Sequence, residues 1–152
     1  MRPLIPTASL AGLVAMAAPA AAQDEPKSDT VNCVAEAVYF EARGTSDRSR
    51  EAVAHVVLNR AEDPEFPDTP CEVVEEGCQF SYNCDGKPET LAVREDREEA
   101  LETAEKVVEG VAPDPTDGAI FFHNESVSPD WASSAEPTAE IDGHVFYKDG
   151  SR

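Results

Sequence analysis

The chain has 152 residues, with 31 Asp and Glu against 12 Lys and Arg, a formal net charge of −19 and a pI near 4.3. A balance this acidic excludes nucleic acid as a partner, because binding phosphates needs a basic face, and it repels anionic lipid. It serves solubility and specifies no substrate.

Arg2 is followed by a small, apolar run from Ala8 to Ala18, then Pro19 and Ala20-Ala21-Ala22 before Gln23. This pattern reads as a secretory signal peptide over residues 1–22, cleaved at an Ala-x-Ala site. The run is too short and too rich in alanine for a retained membrane span, and no other stretch reads as one, so no membrane insertion is expected after cleavage. Residues 23–152 suffice for one domain with one core. Export to the periplasm or the extracellular cell wall follows, and the domain is expected to act as a monomer. In an oxidising compartment Cys33, Cys71, Cys78 and Cys84 are expected as two disulfides, since their spacing lacks the paired Cys-x-x-Cys of a structural zinc site. Three connectivities are open; the one favoured here joins Cys78 to Cys84 and Cys33 to Cys71. No cofactor or metal is expected.

Gln23 to Asp29, polar and holding Pro26, reads as a flexible lead into a domain of residues 30–152. The first helix is expected to start at Thr30 to Asn32, with Thr30 or Asn32 as cap, and to end at Gly44. On it Val34, Ala37, Val38 and Glu41 share one face, while Glu36 and Arg43 point away. Glu41 thus occupies a core position. Burial of a carboxyl group raises its pKa, and an acid still protonated near neutrality suits general acid catalysis. The plainer alternative is that Glu41 reaches a buried arginine or turns out to water. Thr45, Ser46 and Asp47 offer caps for a second helix, on which Ala52, Val53, Val56 and Val57 recur at helical spacing and which Asn59 and Arg60 close.

Pro64, Pro67 and Pro70 make a surface loop of fixed shape, followed by a short helical turn within Cys71 to Gly77. Cys78 to Pro88 mixes aromatics, amides and a hydroxyl and suits either a sugar cleft or a disulfide-tied surface turn. Arg94 to Val111 is a helix with Ala100, Leu101, Ala104, Val107, Val108 and Val111 on one stripe, an acidic solvated face opposite, and Gly110 at its end. Two β-like runs, Ala119 to His123 and His144 to Lys148, flank a loop containing Trp131 and are expected to pair as a small antiparallel sheet.

Tyr39-Phe40-Glu41-Ala42-Arg43-Gly44, Ala52-Val53-Ala54, Val57-Leu58-Asn59-Arg60 and Phe66-Pro67-Asp68-Thr69 together resemble the cell wall hydrolase family, of the SleB type, which includes the catalytic domains of spore cortex-lytic enzymes. The similarity continues through Gln79-Phe80-Ser81, Cys84-Asp85-Gly86, Gly118 to Asn124, Trp131 and Gly143-His144-Val145-Phe146-Tyr147, and so covers about Cys33 to Lys148. The resemblance implies an α+β, mainly helical, single lysozyme-like domain with a small antiparallel sheet and disulfides. It implies lytic transglycosylation of peptidoglycan glycan strands, with Glu41 as the single catalytic acid. One departure is that family members often carry a second Glu directly after the Gly of this motif, where this chain has Thr45, a residue able to cap a helix.

A lytic transglycosylase needs one carboxyl group, because the muramic acid 6-hydroxyl is its nucleophile; hydrolysis would ask for a second carboxylate, for which Asp47 and Glu51 are nearest in sequence. Gln79, Ser81 and Asn124 suit hydrogen bonds to acetamido or hydroxyl groups, and Tyr82, Phe80 or Trp131 suit stacking on a pyranose face. Phe80 fits core as well as cleft, and Tyr39 falls on the far side of the helix from Glu41. His123 and His144 either orient substrate or hold the sheet. An alternative assembles His55, His123 and His144 with Glu41 into the zinc site of a muramoyl-alanine amidase, though no His-Glu-x-x-His spacing is present. A further alternative is a non-catalytic peptidoglycan-binding module, which requires Glu41 to be exposed and replaceable.

Overall fold

The computed structural model describes residues 27–88 and 90–148. The expected signal peptide and the first residues of the lead lie outside the described residues. The elements in chain order are α1 (Lys27–Ala42), α2 (Asp47–Glu62), α3 (Pro70–Glu75), a 3-10 turn (Ser81–Cys84), α4 (Arg94–Val108), β1 (Phe121–Asn124), a second 3-10 turn (Asp130–Ser134), β2 (Pro137–Ile141) and β3 (His144–Tyr147). This is the mainly helical α+β class expected.

The helical core is built from small and β-branched side chains. Val34, Ala37 and Val38 of α1, Val53 and Val57 of α2, Val73 and Val74 of α3 and Ala104 and Val107 of α4 are buried together. Alanine along α1 and α2 lets the helix axes approach closely while valine fills the gaps between them. Lys27 to Asp29, expected as lead, already belong to α1. Thr30 and Asn32 therefore lie within the helix and do not cap it.

The corner between α1 and α2 is tied on both sides. Gly44 takes the left-handed conformation, with φ 76°, and the Thr45 hydroxyl donates to Ala42 O at 2.7 Å. Thr45 thus closes the end of α1, while Ser46 caps α2 by accepting from Ser49 N at 3.3 Å. Arg50, largely buried, donates to Thr45 O at 2.6 Å, pairs with Asp47, and reaches Glu99 of α4 at 3.1 Å. These bonds fix the position in which α1 delivers its last turn.

At the far end α4 stops at Val108, and Gly110 turns the chain away with φ 71°. Val111, expected on the buried stripe, is 70% exposed as a result. Asp114 organises the following loop by accepting from Thr116 N, Thr116 Oγ1, Gly118 N and Asn59 Nδ2, all within 3.0 Å.

The sheet has three strands in the order β1-β3-β2, all antiparallel. The two expected runs do pair, with Phe121 opposite Tyr147 and His123 opposite Val145. The strand β2 was not expected; it joins β3 through a tight turn in which Asp142 and Gly143 have φ 47° and 76°. Alternation gives the sheet two faces. Phe122, His144 and Phe146 face inward, Phe146 packing with Ala52 and Val56 of α2, and Phe121, His123 and Tyr147 lie on the other side. Asp142 Oδ2 accepts from Ser46 N at 2.9 Å and so latches this hairpin to the helical corner. The disulfides are Cys33–Cys71, which ties α1 to α3, and Cys78–Cys84, which closes the loop before α4.

Candidate active site

Glu41 is the penultimate residue of α1 and continues its buried face, one turn beyond Val38. Its pKa is raised above the ordinary carboxylate value because burial disfavours the charged form, an effect only partly offset by the positive charge of Arg60. The negative end of the helix dipole acts in the same direction as burial. Among the described residues no hydrogen bond or ion pair engages its carboxyl group, so Arg60 acts on it through space. The sequence alternatives thus meet in one place: Glu41 is both a half-buried acid and the neighbour of a buried arginine.

Arg60 lies in the last turn of α2 and is only 4% exposed. Its Nε donates to Ile120 O, just before β1, at 2.7 Å. The guanidinium carbon is 5.2 Å from the ring centre of Phe66, 5.3 Å from Phe80 and 6.0 Å from Phe121. Burial lowers its pKa to about 10, against the fields of Glu76 and Glu41, and it stays charged near neutrality. Three aromatic faces compensate for part of the lost hydration of this cation.

From Arg60 the aromatic surface runs on along the outer face of the sheet. Phe121 is 6.0 Å from Phe66 and 5.7 Å from Trp131 between ring centres. Trp131 meets Tyr147 edge-on at 5.2 Å, and His123 stacks on Tyr147 at 5.5 Å. His123 Nδ1 lies 2.9 Å from Asn124 O and donates to it, which leaves Nε2, at 3.0 Å, to accept from the Tyr147 hydroxyl. Beyond them a pocket of about 380 Å³ is lined by His123, Tyr147 and residues of the 128–133 loop.

The expected site residues divide accordingly. Glu41, Phe80, Trp131 and His123 are linked through Arg60 and Phe121 into one strip, and exposed Gln79 and Ser81 flank Phe80. Tyr82 needs correction: it is 8% exposed with its ring stacked 4.4 Å from Phe40, so that face is not available to a sugar. Asn124 is exposed, but its Oδ1 accepts from Ser126 N at 2.9 Å and braces the turn after β1. Phe80 is buried and serves as the floor beneath Arg60. Tyr39 is structural, its hydroxyl accepting from Val93 N at 3.1 Å ahead of α4. The three histidines do not converge. His55 donates to Ala112 O at 3.0 Å, His123 is held by Tyr147, and His144 is buried against Phe122, with its pKa lowered chiefly by burial. Among the described residues no group of three His, Cys, Asp or Glu is placed to hold a metal ion. Sequence reading missed Arg60, Phe121, Phe66 and Tyr147 as parts of the site.

The chain matches the family model described as Cell Wall Hydrolase over residues 44–147. It belongs to the cell wall hydrolase family. The matched span holds Arg60 and the whole aromatic strip but begins three residues after Glu41. Two solved relatives of this cell wall hydrolase have the same fold. The catalytic domain of the germination-specific lytic transglycosylase SleB from Bacillus anthracis is 28% identical, with a TM-score of 0.68, covering 87% of this chain and 100% of that one. The catalytic domain of the Bacillus cereus SleB protein is 26% identical, with a TM-score of 0.66, covering 82% and 94%. The spore cortex-lytic enzyme of Halalkalibacterium halodurans is 33% identical over 119 residues, which are 76% of this cell wall hydrolase and 34% of that protein. That of Bacillus subtilis is 28% identical over 120 residues, 78% and 37%. The chain thus spans about a third of the length of these curated relatives.

Proposed function

We propose that this cell wall hydrolase cleaves the glycan strands of peptidoglycan by lytic transglycosylation, with Glu41 as its single acid and base. The observation that carries the reading is a half-buried carboxyl group, raised in pKa, beside an aromatic strip that starts at Arg60 and ends in the pocket near His123. Glu41 in its protonated form donates to the glycosidic oxygen as the bond from muramic acid breaks. As carboxylate it then takes the proton of the muramic acid 6-hydroxyl, which attacks the anomeric carbon. The product is a 1,6-anhydro sugar, and no water is consumed.

The chemistry calls for no second carboxylate. Asp47 is engaged by Arg50 at the exposed start of α2, which favours a structural role for it over that of a nucleophile or base. Trp131, half-buried, is the ring suited to pyranose stacking, His123 and the nearby loop are suited to hydrogen bonding, and so are the exposed Gln79 and Ser81. Export through a cleaved signal peptide is consistent with a wall substrate, and the domain is proposed to act alone, without cofactor.

The test is the product. Digestion of purified peptidoglycan followed by mass spectrometry is expected to give muropeptides one water lighter than their hydrolysed counterparts. Hydrolysed ends alone would overturn transglycosylation. Glu41→Gln keeps the shape and removes the proton, and is expected to lower the rate by about 10²- to 10⁴-fold with the fold intact. A fully active variant would remove Glu41 from the mechanism.

A further inference from the structure

Arg60 is costlier than a structural role requires. A side chain that only tied α2 to the segment before β1 could make its bond to Ile120 O without carrying a full charge into a nearly dry site. Here the guanidinium is held by that one bond at Nε and by the rings of Phe66, Phe80 and Phe121, which offer no hydrogen-bond acceptor along its edge. Nη1 is buried and has no hydrogen-bond partner among the described residues. A buried donor on a cation is seldom left unmatched unless something arrives to match it.

The charged groups whose fields act on Arg60 are Glu76, at the end of α3, and Glu41, at the end of α1. Glu76 is exposed. Glu41 is the less exposed of the two, and Arg60 is the charged group whose field acts on it. From the sheet side Phe121, Trp131, His123 and Tyr147 follow, and His123 and Tyr147 are hydrogen-bonded to each other.

We propose that Arg60 is a positioning residue for Glu41, its unmatched Nη1–H held ready for the carboxylate that Glu41 becomes once it has given its proton to the glycosidic oxygen. The inference rests on Glu41 being the acid. The proton passes from the Glu41 carboxyl to the leaving oxygen, Arg60 stays protonated throughout, and the hydrogen bond it offers strengthens as negative charge develops on Glu41. When Glu41 recovers a proton from the 6-hydroxyl, that bond weakens and the acid is restored. A fixed cation also keeps the acid from being too weak to donate, by opposing the effect of burial.

Two substitutions separate this from a packing role. Arg60→Met fills a similar volume without charge, and Arg60→Lys keeps charge but not the forked donors. Initial rates of anhydromuropeptide release on soluble glycan strands should fall about tenfold or more in Arg60→Lys, with the alkaline limb of the pH profile near its wild-type position. In Arg60→Met the rate should fall further and the alkaline limb should move to higher pH, because the charge that lowers the Glu41 pKa is gone. The carboxyl carbon of Glu41, titrated by NMR in the folded proteins, should show the same upward shift without reference to activity. Wild-type rates in Arg60→Lys, or an unmoved Glu41 titration in folded Arg60→Met, would overturn the proposal. If Arg60→Met does not fold, the Arg60→Lys rate decides alone. An active Glu41→Gln would instead sink the assignment of the acid, a result readable apart from these.

Discussion

Glu41 and Arg60 end two stripes of identical spacing. Val34, Ala37, Val38 and Glu41 line the buried face of α1, and Val53, Val56, Val57 and Arg60 line that of α2. In both helices the apolar period runs on into a charged residue in the last turn, so both charges are drawn toward the core by the residues before them. Glu41 was legible in the sequence for this reason. Arg60 was equally legible by the same rule, but reading it only as the close of a helix hides its direction. The aromatic partners Phe66 and Phe121 were not legible, because they come from a proline loop and from a strand, and no local period links them to α2. Holding Glu41 in place costs stability. Its pKa in the folded chain lies above that in the unfolded chain, so as pH rises through the folded value the unfolded state gains more by ionising. Glu41→Gln is therefore expected to raise Tm at neutral pH, and thermal melts should show that gain vanish below the ordinary carboxylate range, where both states are protonated. An equal gain at all pH values would contradict the burial of this acid.

The elements that sequence patterning captured are those with a period of their own. The stripes of α1, α2 and α4 predict three helices within a few residues, and the Ala119 to His123 and His144 to Lys148 runs predict two strands, each within two residues of the observed ends. The strand β2 escaped because Pro137-Thr138-Ala139-Glu140-Ile141 opens on proline and alternates weakly. Its signal was the Asp142-Gly143 pair, a two-residue turn that binds β2 to β3. Val111 misled because the helical period passes through Gly110 unbroken, although the glycine ends the helix before it. The loop ahead of β1 is held by a single carboxylate: four donors converge on Asp114, which keeps its pKa below the ordinary value. Asp114→Ala is expected to destabilise the fold by about 2 kcal/mol in chemical denaturation at neutral pH. Because the folded pKa is depressed, that difference should be full above the ordinary Asp range and shrink as pH falls through the folded value.

Across the whole molecule, the sheet, the helical corner and the acid form one connected body. The hairpin turn of β2 and β3 is latched to Ser46, α2 carries Arg60 to Ile120, and α1 is bridged to α3 by Cys33–Cys71. The two bridges close loops of very different size, with sequence separations of 38 and 6 residues. Replacing the Cys33–Cys71 pair by serines should cost about 4 kcal/mol in denaturant melts, and the Cys78–Cys84 pair about 2 kcal/mol, if loop entropy in the unfolded chain dominates. The smaller bridge encloses Gln79, Phe80 and Ser81, and Phe80 is the ring on which Arg60 rests. A newly made chain whose thiols are still open would have its helices packed yet no fastened base under Arg60. Mild reductant should then silence wall digestion at doses that leave circular dichroism unaltered. On the proposed export and wall activity, digestion would begin only once an oxidising space had closed the bridge that spans residues 78–84.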